Sequence, residues 1–222
     1  MMNVLIMAPH ADDEILGAGG TISKFIHDGH DVYVCIVTCG HPSMYSKDIL
    51  EKLRFEVKGA HRYLGVKETL FLELPAVLLS EIPKYEINKK INDVINMIKP
   101  KVVFIPHFGD IHMDHFIVAQ STMVAVRPIR ENTVIEVYSY ETLSETEWNT
   151  PHLSNSFVPN TFVDISDYLN KKVEAMNYFN TQLIEFPHPR SIQAIESLAR
   201  VRGSTIGVNA AEAFCLIRRI IL

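Results

Sequence analysis

Apolar and polar positions along this chain alternate between two rhythms. Short continuous apolar runs, about as long as a buried strand, alternate with stretches in which apolar residues recur every three to four positions. The runs at 4–8, 31–38, 69–72, 102–106 and 133–140 predict strands. The Val-Tyr-Val-Cys-Ile-Val run at 32–37 suits a strand buried on both faces. Helical spacing predicts helices over 18–27, 47–64, 87–98 and 115–126. In the second of these, Ile49, Leu53, Val57, Ala60 and Leu64 share a face, and Gly65 follows as a C-cap. Residues 144–160 are polar and proline-dotted and read as a long loop, 167–180 and 191–202 as helices, and 213–217 as a last strand. This order implies an α/β fold, a mostly parallel sheet with helices on both faces. Ligands in such open sheets bind outside the carboxyl ends of the strands.

The 222 residues, 47% of them hydrophobic, suit one globular domain spanning 1–222. Twenty-one basic against 26 acidic residues leave a net charge of -5, which argues against a nucleic-acid partner. No apolar run approaches the roughly 18–20 residues that span a bilayer. The first ten residues carry no basic leader and read as a first buried strand, so a cytoplasmic location is expected. Cys35, Cys39 and Cys215 are an odd number without a CxxC pair, which points to buried free thiols.

Histidines and acids change the picture more. Pro9-His10-Ala11-Asp12-Asp13-Glu14 follows the first predicted strand, and Asp110-Ile111-His112-Met113-Asp114-His115 follows the 102–106 strand. Both clusters therefore fall on the rim where this architecture binds ligands. Imidazole nitrogen and carboxylate oxygen suit zinc or a similar divalent ion, and three protein ligands plus an open position suit hydrolysis. Taken singly, the first cluster has a lesser reading as a solvated turn or helix N-cap and the second as surface histidines capping a helix; together on one rim they point to a site.

Other chemistry is weaker. Gly17-Ala18-Gly19-Gly20 resembles a dinucleotide fingerprint, but Ile22 replaces its third small residue and the preceding loop is acidic. Those glycines fit close helix–strand packing better. No G-x-S-x-G elbow is present. Cys39 lacks a base in its sequence context and reads as a small buried residue. His41 lies near the rim, His188 lies on the proline-bounded 186–190 loop, and His27, His30 and His61 read as solvent-facing.

PHADDE together with HMDH resembles the paired motifs of the PIG-L (LmbE-like) de-N-acetylases. The resemblance extends to Arg54 and Glu56 ahead of Tyr63-Leu64-Gly65-Val66, and to Val163-Asp164-Ile165-Ser166. It continues through Lys171, Tyr178 and Gln182 on one helix, Arg202-Gly203, Gly207 and Ala211-Glu212-Ala213-Phe214, and so covers nearly the whole chain. It implies a Rossmann-like sheet, a mononuclear metal that is usually zinc, although another divalent ion is compatible, and removal of N-acetyl from glucosamine-type sugars. His10, Asp13 and His115 would ligate the metal. Asp12 would be the general base, and His112 would stabilise the oxyanion or donate the leaving-group proton as a charged imidazolium. Asp114 would orient an imidazole, Asp110 could serve similarly, and Arg54 would contact sugar hydroxyls. The implied partners are a small N-acetyl amino sugar and further copies of the chain in a homo-oligomer. Ala11 and Met113 replace motif prolines without removing a ligand. Ala76 stands where many relatives carry an aspartate that contacts the sugar, and it cannot make that bond. A catalytically silent binding relative and an amidase for non-sugar acyl amines are the alternatives.

Overall fold

The computed structural model describes residues 1–41, 43–129 and 133–221. Five strands run parallel: β1 (Asn3–Ala8), β2 (Asp31–Cys39), β3 (Glu68–Pro75), β4 (Val102–Pro106) and β5 (Glu136–Tyr140). Two more, β6 (Thr161–Asp164) and β7 (Ala211–Arg219), pair antiparallel beyond β5, giving the order β3-β2-β1-β4-β5-β7-β6. Among the described residues six α-helices cover the sheet: α1 (Asp13–His27), α2 (Lys47–Leu64), α3 (Lys84–Ile98), α4 (Met113–Ala125), α5 (Leu169–Met176) and α6 (Ile192–Ile206).

β1 lies between β2 and β4 with helices over both faces of the sheet, and from Val4 to Ala8 it is apolar and buried. Successive side chains of a strand point to opposite faces. Val4, Ile6 and Ala8 accordingly pack with α1, α2, α5 and α6 in one core, and Leu5 and Met7 with α3 and α4 in the other. α2 starts at Ser46, whose side chain accepts from the Ile49 amide, and ends at Gly65 in a left-handed conformation (φ 89°), as its sequence predicts.

The predicted helix beginning at residue 18 in fact begins at Asp13 and breaks at Ala18 (φ -144°, ψ 16°). Side chains take over the interrupted backbone ladder. The Lys172 ammonium donates to Leu16 O (2.8 Å) and pairs with Glu212 (2.6 Å), while Glu212 accepts from the Gly20 and Thr21 amides. Lys172 is the buried lysine of this segment and Lys171 is exposed. Tyr178 and Gln182 lie beyond the end of α5, in turns. α6 continues past 202 to Ile206, and β6 arises at the end of the predicted loop.

The glycines of α1 permit close packing. A methyl group at Gly17 would overlap the Tyr140 ring, which cannot retreat because it is fully buried and its hydroxyl donates to Met7 O (2.8 Å). Gly17→Ala is therefore expected to destabilise the fold by about 1–3 kcal/mol through overpacking, despite the better helix propensity of alanine. Denaturant midpoints measure this, and unchanged stability would contradict the packing account.

Candidate metal centre

β1 and β4 are neighbours, so the loops leaving them bring the N-termini of α1 and α4 together at the carboxyl edge of the sheet. His10 and Asp12 precede α1 and Asp13 opens it; His112 is the N-cap of α4, with Asp114 and His115 in its first turn. Far from forming a solvated turn, Asp12, Asp13, Asp110, Asp114 and His115 are all buried.

His10 Nδ1 lies 3.3 Å, and His115 Nε2 3.2 Å, from Asp13 Oδ2. The second imidazole nitrogens are held from behind. His115 Nδ1 is 2.8 Å from Asp110 Oδ2, and His10 Nε2 is 3.0 Å from Asp114 Oδ2. Asp110 receives the Thr146 hydroxyl (2.6 Å), and Asp114 the Val77 amide (2.7 Å). These contacts direct the lone pairs of His10 Nδ1 and His115 Nε2 toward Asp13.

Two histidine nitrogens and a carboxylate within 4.8 Å of one another form a donor set suited to a divalent cation. His115 Nε2 and Asp13 Oδ1 are buried without a hydrogen-bond partner, as are Asp12 Oδ1 and Asp114 Oδ1. A bound cation would satisfy such orphaned atoms. The electrostatics agree. Burial works against a charged His10, but Asp114 and Asp13 outweigh it and raise its pKa to about 9. Asp13 and Asp110 likewise overcome burial at His115 and raise it to about 10. Asp13 is held well below the carboxylate range against the effect of burial, chiefly by His115. The acids thus demand positive charge at this point, which a proton or a dication can supply.

Asp12 stands apart from that trio. It has φ 99° and ψ -26°, a left-handed conformation that costs a non-glycine residue about 1–2 kcal/mol. An aspartate at a helix start ordinarily caps its own amides, but the Asp12 side chain makes no capping bond. Its Oδ2 instead faces Arg190 Nη1 at 3.3 Å, and burial pushes its pKa up to about 8 against the pull of Arg190. Arg190 is the residue that sequence reasoning missed. Its guanidinium also contacts Ser144 Oγ (2.8 Å), Gln182 Oε1 (3.2 Å) and Glu145 Oε1 (3.4 Å). His188 supports it by accepting the Arg190 amide (3.1 Å).

His112 accepts the Asp114 amide at Nδ1 (3.1 Å), which leaves its proton on Nε2. Burial and the neighbouring His10 charge push its pKa down to about 4, so the ring is a neutral donor and not the charged imidazolium expected from sequence. His10, Asp12, His112 and Arg190 line a cavity of about 200 Å³, to which Ile49, Leu50, Leu53 and Ala76 contribute apolar surface.

Arg54 is not among these groups. It lines an adjoining cavity of about 220 Å³, ion-pairs with Glu73 and lies 4.3 Å above the Phe71 ring. Cys39 borders both cavities, while His41 turns to Ser43 and lines neither. His27 is exposed, but His61 is not solvent-facing: it is buried between Glu14 and Thr69.

Known proteins resemble this chain in sequence and in fold. A probable N-acetyl-alpha-D-glucosaminyl L-malate deacetylase 2 of Bacillus anthracis is 26% identical over 192 residues, 81% of each chain. The diacetylchitobiose deacetylase of Thermococcus kodakarensis is 27% identical over 99% of this chain and 84% of its own. The crystal structure of conserved protein TT1542 from Thermus thermophilus superposes with a TM-score of 0.81 at 26% identity, covering 100% of this chain and 97% of that one. Residues 5–126, more than half of the chain, match the family model for PIG-L, GlcNAc-PI de-N-acetylase, and the chain belongs to that family.

Proposed function

We propose that this protein is a metal-dependent hydrolase that removes the acetyl group from an N-acetyl amino sugar of the N-acetylglucosamine type, in a small glycoside or a carrier-linked sugar. The observation that carries the reading is His115 Nε2, buried without a partner and facing Asp13 and His10, beside an Asp12 carboxylate not used in capping. Relatives named as deacetylases of N-acetylglucosaminyl malate and diacetylchitobiose support the substrate class. The unpaired Cys35, Cys39 and Cys215 favour a reducing, cytoplasmic location. Among the described residues, no helix is long and apolar enough to cross a membrane.

His10, Asp13 and His115 would hold the divalent cation, with zinc the default for this donor set. When bound, such an ion supplies Lewis acidity that polarises an amide carbonyl and acidifies water. Asp12 accepts the proton of the attacking water. The water oxygen bonds to the carbonyl carbon, the C–N bond breaks, and that proton leaves on the amine. His112 Nε2–H donates a hydrogen bond to the carbonyl oxygen as its negative charge grows. Asp114 and Asp110 fix the His10 and His115 tautomers. Arg190 holds Asp12, and Arg54 would meet sugar hydroxyls only where the substrate extends into the adjoining cavity that it lines.

An amine-release panel at one equivalent of zinc tests the reading across N-acetylhexosaminides and non-sugar acyl amines. Turnover of the sugar amides is expected. Cleavage of non-sugar amides alone would reassign the substrate, and full occupancy with no turnover would mark a binding protein. Arg190→Gln is expected to lower kcat about 10-fold or more, the worth of a hydrogen bond to a charged group. Because the Arg190 charge lowers the Asp12 pKa, its removal should also move the acid limb of the rate profile to higher pH. An unmoved limb would separate Arg190 from Asp12.

A further inference from the structure

Behind the cavity lies a buried constellation that the reaction scheme does not use. The Asp12 amide donates to Glu14 Oε2 at 3.2 Å. Glu14 Oε1 is 2.9 Å from His61 Nε2, and His61 Nδ1 is 2.7 Å from Thr69 Oγ1. Glu14 is completely buried and His61 is 2% exposed. Neither lines the catalytic cavity. His61 belongs to α2 and Thr69 to β3, so the contacts run from two packed elements to the one backbone amide that turns left-handed at Asp12.

The residue types suit this task. A carboxylate accepts at both oxygens, and an imidazole can donate from one nitrogen while accepting at the other. With Nε2–H donating to Glu14, Nδ1 accepts the Thr69 hydroxyl hydrogen. A left-handed aspartate persists only where its surroundings over-determine it. Here the Asp12 carbonyl is fixed by the Ile15 and Leu16 amides (3.0 and 2.9 Å), its side chain by Arg190 and its amide by Glu14.

We propose that Glu14 and His61 are positioning residues: Glu14 clamps the Asp12 amide, and His61 fixes Glu14, so that the Asp12 carboxylate stays aimed into the cavity. The inference rests on the reading of Asp12 as the general base.

Two substitutions divide the contacts of His61. A glutamine amide reaches about as far as Nε2 and keeps the donor to Glu14, whereas an asparagine amide reaches only as far as Nδ1 and keeps Thr69. His61→Asn is expected to lower kcat about 10-fold, with KM and zinc content by elemental analysis unchanged, and His61→Gln to stay within about threefold of wild type. In an Asp12→Asn background, His61→Asn should lower single-turnover rates less than about twofold, because residues acting through one another are not additive. Equal losses in both variants, or an undiminished loss beside Asp12→Asn, would overturn the inference and leave His61 a structural residue. Should His61→Asn fail to fold by thermal melting, Thr69→Val frees His61 Nδ1 without changing shape. Its expected loss of about threefold should also vanish beside Asp12→Asn, and persistence there would overturn the inference. Wild-type turnover by Asp12→Asn alone would remove the general base itself and this inference with it, a failure distinct from that of His61.

Discussion

Asp12→Asn is expected to keep its metal and lose about 10²–10⁴-fold in turnover, the usual contribution of a positioned general base. Asparagine matches the size of aspartate and still meets Arg190 with an oxygen, but it cannot accept a proton at neutral pH. The proposed ligand trio of His10, Asp13 and His115 does not include Asp12, so zinc content should not change. In wild type, the base must be deprotonated to act. Burial sets the Asp12 pKa near 8 against the pull of Arg190, and a dication nearby would lower it further. The rate should therefore fall as pH drops through that lowered value, as a macroscopic titration of the coupled site. The asparagine variant should lose that limb. A metal-loaded variant as active as wild type would exclude Asp12. Glu145, which lines the same cavity and whose pKa burial raises, would then be the next carboxylate to test.

The second large effect concerns the metal. His115→Ala should abolish stoichiometric zinc binding, because it removes one of the three proposed ligands. Asp110→Asn, which leaves His115 in place but weakens the hold on Nδ1, should cost about 10–100-fold in affinity. His112→Ala should retain the metal. His10, His112 and Asp114 form a rival trio, also within 4.8 Å. In that trio, however, His112 Nδ1 accepts from the Asp114 amide, whereas His115 Nε2 of the first trio is buried with no hydrogen-bond partner. Elemental analysis of the three variants decides; zinc lost with His112→Ala and kept with His115→Ala would exchange the two histidines.

Much of this was legible from residue order. Continuous apolar strands identified the parallel centre of the sheet, and two polar clusters placed directly after strands identified the rim. What stayed hidden involved partners distant in sequence. The first turn of α1 escaped because Gly17, Ala18, Gly19 and Gly20 blur the helical rhythm, and the break is repaired by Lys172 and Glu212 from elsewhere in the chain. β6 is four residues of half-buried edge strand without a distinctive pattern. Arg190 sits 178 residues from Asp12 in a turn-rich segment, and spacing cannot bring them together. His61 occupies the buried face of α2 that Val57, Ala60 and Leu64 mark. That flank was the available signal that it was not a solvent-facing residue.

The account stands or falls most directly on paired product measurement. Protein carrying one equivalent of zinc is given an N-acetylglucosaminide, and acetate and free amine are quantified together before chelation, after chelation and after zinc is restored. The account predicts acetate and amine in equal amounts, loss of both on chelation, and recovery of both with zinc. Turnover indifferent to chelation, or no amine from any N-acetylhexosaminide at full occupancy, would contradict it.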